Sequence, residues 1–167
     1  MKSRIDVMKV SPKALQAVLG LQGYVNASGL EPSLLELVKM RASQINGCAY
    51  CLDMHSKDAR AAGETEQRLY LLNAWREAPF YSDRERAALE WTESLTLVSD
   101  THVPDEVFEK AREHFSEAEL VDLAMAVAAI NTWNRLSIAF RAQPGAYKPQ
   151  QRAQASAARP SQPSAAH

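Results

Sequence analysis

Along most of this chain the apolar residues recur every three or four positions, and alternating runs are nearly absent. Leu34, Leu35, Val38, Ala42 and Ile45 share one face of a helix that opens at Glu31-Pro32-Ser33 and stops at Gly47. An earlier helix starts at Ser11-Pro12 and runs through Val25, with proline in its first turn. After Gly47, Cys48 to Ala62 are good helix formers, and Gly63 reads as a left-handed cap. A further helix is predicted over Thr65–Trp75, followed by a loop through "EAPFYS".

Two capping boxes announce later helices: Ser82 with Glu85 before "RAALEWTESLTLV", and Ser116 with Glu119 before "LVDLAMAVAAINTWNRLSIAF". A short helix begins at Pro104 and reaches His114. The pattern therefore predicts an all-α fold, a single-domain helical bundle of about six to seven helices. Between Leu120 and Phe140 apolar residues occupy nearly every side, interrupted by Asp122, Asn131, Asn134 and Arg135. A helix apolar all round must be covered all round, which predicts a homo-oligomer.

With 167 residues the chain suits one domain, long enough to bury roughly two thirds of the surface its unfolded form exposes. The expected division is a helical domain over 1–142 and, over 143–167, an Ala/Gln/Pro/Ser-rich tail or an arm on a neighbour. A net charge of −1 gives no basic face for nucleic acid, and no apolar run is long enough for a membrane span. The first ten residues, with Lys2, Arg4, Asp6 and Lys9, hold no secretory core, so a cytoplasmic protein is expected. In that compartment thiols are kept reduced, and a close cysteine pair points to catalysis or metal binding rather than a structural staple.

The chain's only two cysteines lie in "RASQINGCAYCLDMH". On a helix, Cys48, Cys51 and His55 form one stripe two turns long, so all three can meet one small molecule. The first helical turn supplies free N–H groups and a positive dipole end, which favour a thiolate. That argument favours Cys48 as the more acidic thiol, whereas His55, four residues after Cys51, favours Cys51. One activated thiol of such a pair can attack a peroxide or a disulfide, and the second can close an internal disulfide that an outside dithiol then reduces. Two buried, inert thiols are the plain alternative. A structural zinc would need about four ligands, and the chain has no second cysteine pair and no His-x-x-x-His.

The segment "EPSLLELVKMRASQINGCAYCLDMHSKDARAAGET" resembles the core of the carboxymuconolactone decarboxylase-like superfamily, in its alkylhydroperoxidase AhpD-like branch. The branch's pattern is a glutamate, eleven residues, then Cys-x-x-Cys-x-x-x-His, and Glu36, Cys48, Cys51 and His55 fall on it, with Arg41 and Asn46 also in place. The resemblance implies an all-helical fold assembled as trimers or hexamers. It implies a peroxidase in which Cys51, served by His55, Glu36 and water, attacks the peroxide and Cys48 resolves the sulfenic acid. It implies no bound cofactor and no metal, only a peroxide substrate and an external dithiol reductant.

Two residues depart from a simple carry-over. Some peroxidases of the branch place a relay histidine just before the second cysteine, where this chain has Tyr50, whose hydroxyl accepts protons poorly at neutral pH. Glu36 lies nearly opposite Leu34, Val38 and Ile45 on the helical wheel, so periodicity alone reads it as a solvated glutamate. Covered by the cysteine helix or by a second subunit, it would instead polarise His55. His102, His114 and His167 read as surface residues, and Trp75, Trp91 and Trp133 as core or interface. The rival functions are a general thiol–disulfide oxidoreductase, a non-catalytic oligomeric redox sensor, and a lactone-processing decarboxylase, whose chemistry does not rest on Cys-x-x-Cys.

Overall fold

A computed structural model of the chain describes residues 2–149. Nine α-helices and no strand are present among the described residues. They are α1 (Val7–Val10), α2 (Pro12–Ala27), α3 (Pro32–Asn46), α4 (Ala49–Ala61), α5 (Glu66–Tyr70), α6 (Asp83–Thr96), α7 (Val98–Thr101), α8 (Asp105–Arg112) and α9 (Glu117–Phe140), with a 3₁₀ turn at Leu72–Ala74.

The centre of the bundle is α3, which packs against α4, α6 and α9. Its apolar face meets α6 and α9 in a core that includes Leu34, Val38, Ala88, Trp91, Leu123 and Val127. A second core joins Leu37 and Met40 of α3 to Leu72, Trp75 and Leu89. Helix α3 is therefore buried on several sides, which is why its polar residues meet protein rather than water.

Local chemistry sets most helix ends. Both capping boxes form: Ser82 and Ser116 each accept from the N3 backbone, and Glu85 and Glu119 return the bond. Gly47, at φ 68°, stops α3 in the left-handed region and turns the chain into α4.

Two predicted helices are interrupted, each by a side chain that takes a helical carbonyl. The segment expected as one helix over Thr65–Trp75 divides after Tyr70, where the Tyr81 hydroxyl donates to the carbonyl of Arg68. The helix expected to run through Val98 breaks at Leu97, where the Thr101 hydroxyl donates to the carbonyl of Ser94 at 2.7 Å. Each hydroxyl bonds the oxygen that the next turn would have used.

The face of α9 turned away from α3 leaves Val121 58% and Ile138 46% exposed. No helix among the described residues is long and apolar enough to cross a membrane. Residues 143–149 of the expected tail run along α4, and 150–167, with His167, lie outside the described residues.

Candidate active site

Cys48 is the N-cap of α4, one position before the first helical residue, and its Sγ accepts the backbone N–H of Cys51 at 3.4 Å. This is the place a serine or aspartate commonly fills, and a thiolate suits the partial positive charge there. Both cysteines are unlinked and buried, packed with Ala42 and Ile130 and flanked by Tyr50 and Trp133.

The two thiols differ in acidity. A hydrogen bond from the Cys51 thiol draws Cys48 down to about 7 against the opposing effect of burial, helped by the Cys51 backbone N–H, Asn134 and Ser137. Cys51, as the donor to Cys48, is pushed up, and burial and the neighbouring thiolate charge add to the rise. Of the two thiols, Cys48 is thus the one that ionises first.

Glu36 is half-buried against α4. It accepts from His55 Nδ1 at 2.9 Å and from Lys39 Nζ at 2.9 Å, so its surface reading gives way to the buried one. Burial pushes the Glu36 carboxyl up, but His55 and Lys39 outweigh it and hold it below its ordinary value. An ionised carboxylate only accepts, so Nδ1 of His55 is the donor, and in the neutral imidazole this leaves the lone pair on Nε2.

Cys51, His55 and Glu36 line one cleft of about 1190 Å³, whose wall also includes Lys39, Tyr50 and Trp133. Cys48 is not in that wall. Trp133 thus lines the cleft, while Trp75 and Trp91 are buried as predicted.

Two residues of the family pattern lie behind the cleft. Arg41 pairs with Glu93 at 2.7 Å, tying α3 to α6. Asn46 donates to Asn131 and Asn134 at 3.0 and 2.9 Å, and Asn134, wholly buried, donates to Ser43 at 3.0 Å. This amide network holds α3 to α9 directly beneath Cys48.

Sequence reasoning passed over Lys39, Asp58, Asn134, Ser137 and Tyr147 as site residues. For Asn134 a signal existed: an amide inside an apolar helix needs buried partners. His102 is exposed and His114 half-buried, both away from the cleft.

The Glu36, His55 and Asp58 donor atoms lie within 4.8 Å of one another. Lys39 and Tyr147 already satisfy the two carboxylates there, which argues against a cation.

Known proteins are similar to this chain in sequence and in fold. The model of the carboxymuconolactone decarboxylase family matches residues 12–94. The uncharacterized protein YdfG of Bacillus subtilis (strain 168) is 45% identical over 140 residues, covering 84% of this chain and 95% of YdfG. The chain belongs to the carboxymuconolactone decarboxylase family.

Within the family it sits in the AhpD branch. A crystal structure from Agrobacterium tumefaciens, of a protein of unknown function proposed to be the antioxidant defence protein AhpD, is 47% identical with a TM-score of 0.85. The match covers 87% of this chain and all of that one (100%). The debrominase Bmp8 is 25% identical with a TM-score of 0.75, over 83% of this chain and 75% of Bmp8.

Proposed function

We propose that the protein is a thiol-dependent peroxidase of the alkylhydroperoxidase type, reducing organic hydroperoxides or hydrogen peroxide through a Cys48–Cys51 disulfide cycle. The observation that carries this reading is one cleft that joins the Cys51 thiol, with the unlinked Cys48 packed beside it, to an imidazole held by a half-buried carboxylate.

In this reading Cys51, the thiol that borders the cleft, is the attacking residue. Nε2 of His55, whose ring Glu36 orients through Nδ1, takes the Cys51 proton directly or through one water. The Cys51 thiolate attacks the terminal peroxide oxygen, the O–O bond breaks, and the departing alkoxide takes a proton from the imidazolium. Cys51 is now a sulfenic acid. Cys48, already drawn towards thiolate, attacks the Cys51 sulfur, and hydroxide leaves with a solvent proton as water. An external dithiol reduces the disulfide.

The two acidities thus suit two roles: the more acidic thiol waits as the resolving nucleophile, and the one at the cleft is activated when substrate is present. No resident metal or cofactor is needed. We place the cycle in the cytoplasm, in a homo-oligomer of three or six chains that covers Val121 and Ile138 of α9.

The test is the rate at which the reduced protein loses its two thiols to a bulky organic hydroperoxide. Cys51→Ser abolishes fast loss, and Cys48→Ser stops at a sulfenic acid. Loss no faster than that of a free thiol refutes the peroxidase and leaves disulfide exchange or redox sensing. The likeness to Bmp8, a debrominase also solved with 2,3,4-tribromopyrrole, favours one second reading, in which the same thiols reduce a brominated aromatic; bromide release without peroxide consumption would establish it.

A further inference from the structure

The segment that follows α9 is latched onto the cysteine helix. Arg141, at φ 56°, ends α9 in the left-handed conformation, and the chain then passes along α4. The Gly145 N–H donates to Asp53 Oδ2 at 2.9 Å. Lys57 Nζ, itself paired with Asp53, donates to the carbonyls of Gly145 and Tyr147 at 3.3 and 3.2 Å. The Tyr147 hydroxyl donates to both carboxylate oxygens of Asp58, at 2.8 and 3.0 Å.

Tyr147 is half-buried while its neighbours Ala146 and Lys148 are exposed, and it lines the same cleft as Cys51 and His55. Asp53, Lys57 and Asp58 thus place one aromatic ring of a loop in the wall of the reactive site.

We propose that Tyr147 is a specificity-determining residue of this site. Latched by Asp58, its ring narrows the way to Cys51, so that compact electrophiles reach the thiol and bulky ones wait for the segment to lift. The identity of the electrophile rests on the peroxidase reading; the size filter does not.

The latch is made of a few polar contacts between partly exposed groups, the kind of structure that opens locally without unfolding the domain. A hydrogen bond to a charged group shifts such an open–closed balance by about ten- to a hundredfold. In a peroxidase this divides the cycle: peroxide enters with the segment closed, and a protein dithiol reaches the disulfide with it open.

The experiment uses the full chain, fully reduced, with N-ethylmaleimide and a maleimide carried on a polyethylene glycol chain. The ratio of the large-reagent rate to the small-reagent rate is taken within each protein. It rises at least about tenfold in Tyr147→Phe, which loses the hydroxyl bond and keeps the ring. It rises further in Tyr147→Ala, and in Asp58→Asn, which keeps an acceptor but loses the charge, it rises by less than in Tyr147→Phe. An unchanged ratio in Tyr147→Phe and Tyr147→Ala overturns the proposal, and so does a rise confined to variants that have lost cooperative melting. In a second arm, Tyr147→Ala gains in kcat/KM for cumene hydroperoxide relative to hydrogen peroxide. If the wild type consumes neither peroxide, the peroxidase reading fails while the maleimide ratio still decides the latch.

Discussion

Replacing Cys51 by alanine should move the titration of Cys48, because the Cys51 thiol is the largest cause of its acidity. With Cys48 at about 7, about half of it is thiolate at pH 7, against about 3% for an ordinary thiol of pKa about 8.5. A hydrogen bond to a charged group contributes about 1.5–3 kcal/mol, or one to two pKa units. Cys51→Ala removes that bond and leaves the backbone N–H, Asn134 and Ser137 opposing burial. The thiolate fraction at pH 7 then falls to about a tenth or less. The assay is far-ultraviolet thiolate absorbance against pH, with iodoacetamide rates as a second readout. Cys48→Ala should show no step near pH 7. A step still near 7 in Cys51→Ala would mean that the thiol–thiolate bond is not the cause. A step surviving in Cys48→Ala would put the thiolate on Cys51 and remove the resolving role from Cys48.

Glu36→Gln should lower the rate of thiol loss to peroxide by about ten- to a hundredfold, the usual worth of a carboxylate that orients a functional histidine, while the Cys48 titration stays in place. The same change leaves Lys39, only 8% exposed, without its carboxylate, at a cost of about 3 kcal/mol in urea unfolding; adding Lys39→Met should recover part of that loss. Asn134→Leu strips partners from Asn46 and Ser43, so unfolding should cost about 1–3 kcal/mol less and the Cys48 step should move up in pH. Glu119 is held at about 2, below its ordinary value of 4.5, by the Ser116 backbone N–H first and by Arg84 and the Ser116 hydroxyl. Its folded value is the lower one, so its stabilisation is complete above pH 4.5 and disappears as pH falls towards about 2. Glu119→Gln should therefore flatten the thermal midpoint across that window.

The sequence by itself determined the helical class, the capped starts of α6 and α9 and the Gly47 turn, because each follows from groups within one or two turns of one another. It also determined that Cys51 and His55 share a face of α4; Cys48, expected on the same stripe, is instead the extended N-cap of that helix and does not line the cleft. The breaks at Leu71 and Leu97 were not legible, since the hydroxyls that cause them, on Tyr81 and Thr101, act only after the chain has folded back. The standing of Glu36 was undecidable from periodicity, because a helical wheel records a direction and not what lies there. Packing of α4 against α3 turned a polar face into a buried one and converted that glutamate into the partner of His55. The acidity of Cys48 depends on Asn134 and Ser137, and the wall of the cleft on Tyr147, all more than eighty residues away along the chain. Only tertiary structure decides such placements, because burial and electrostatics depend on distance through space, which the spacing of residues along a chain does not set.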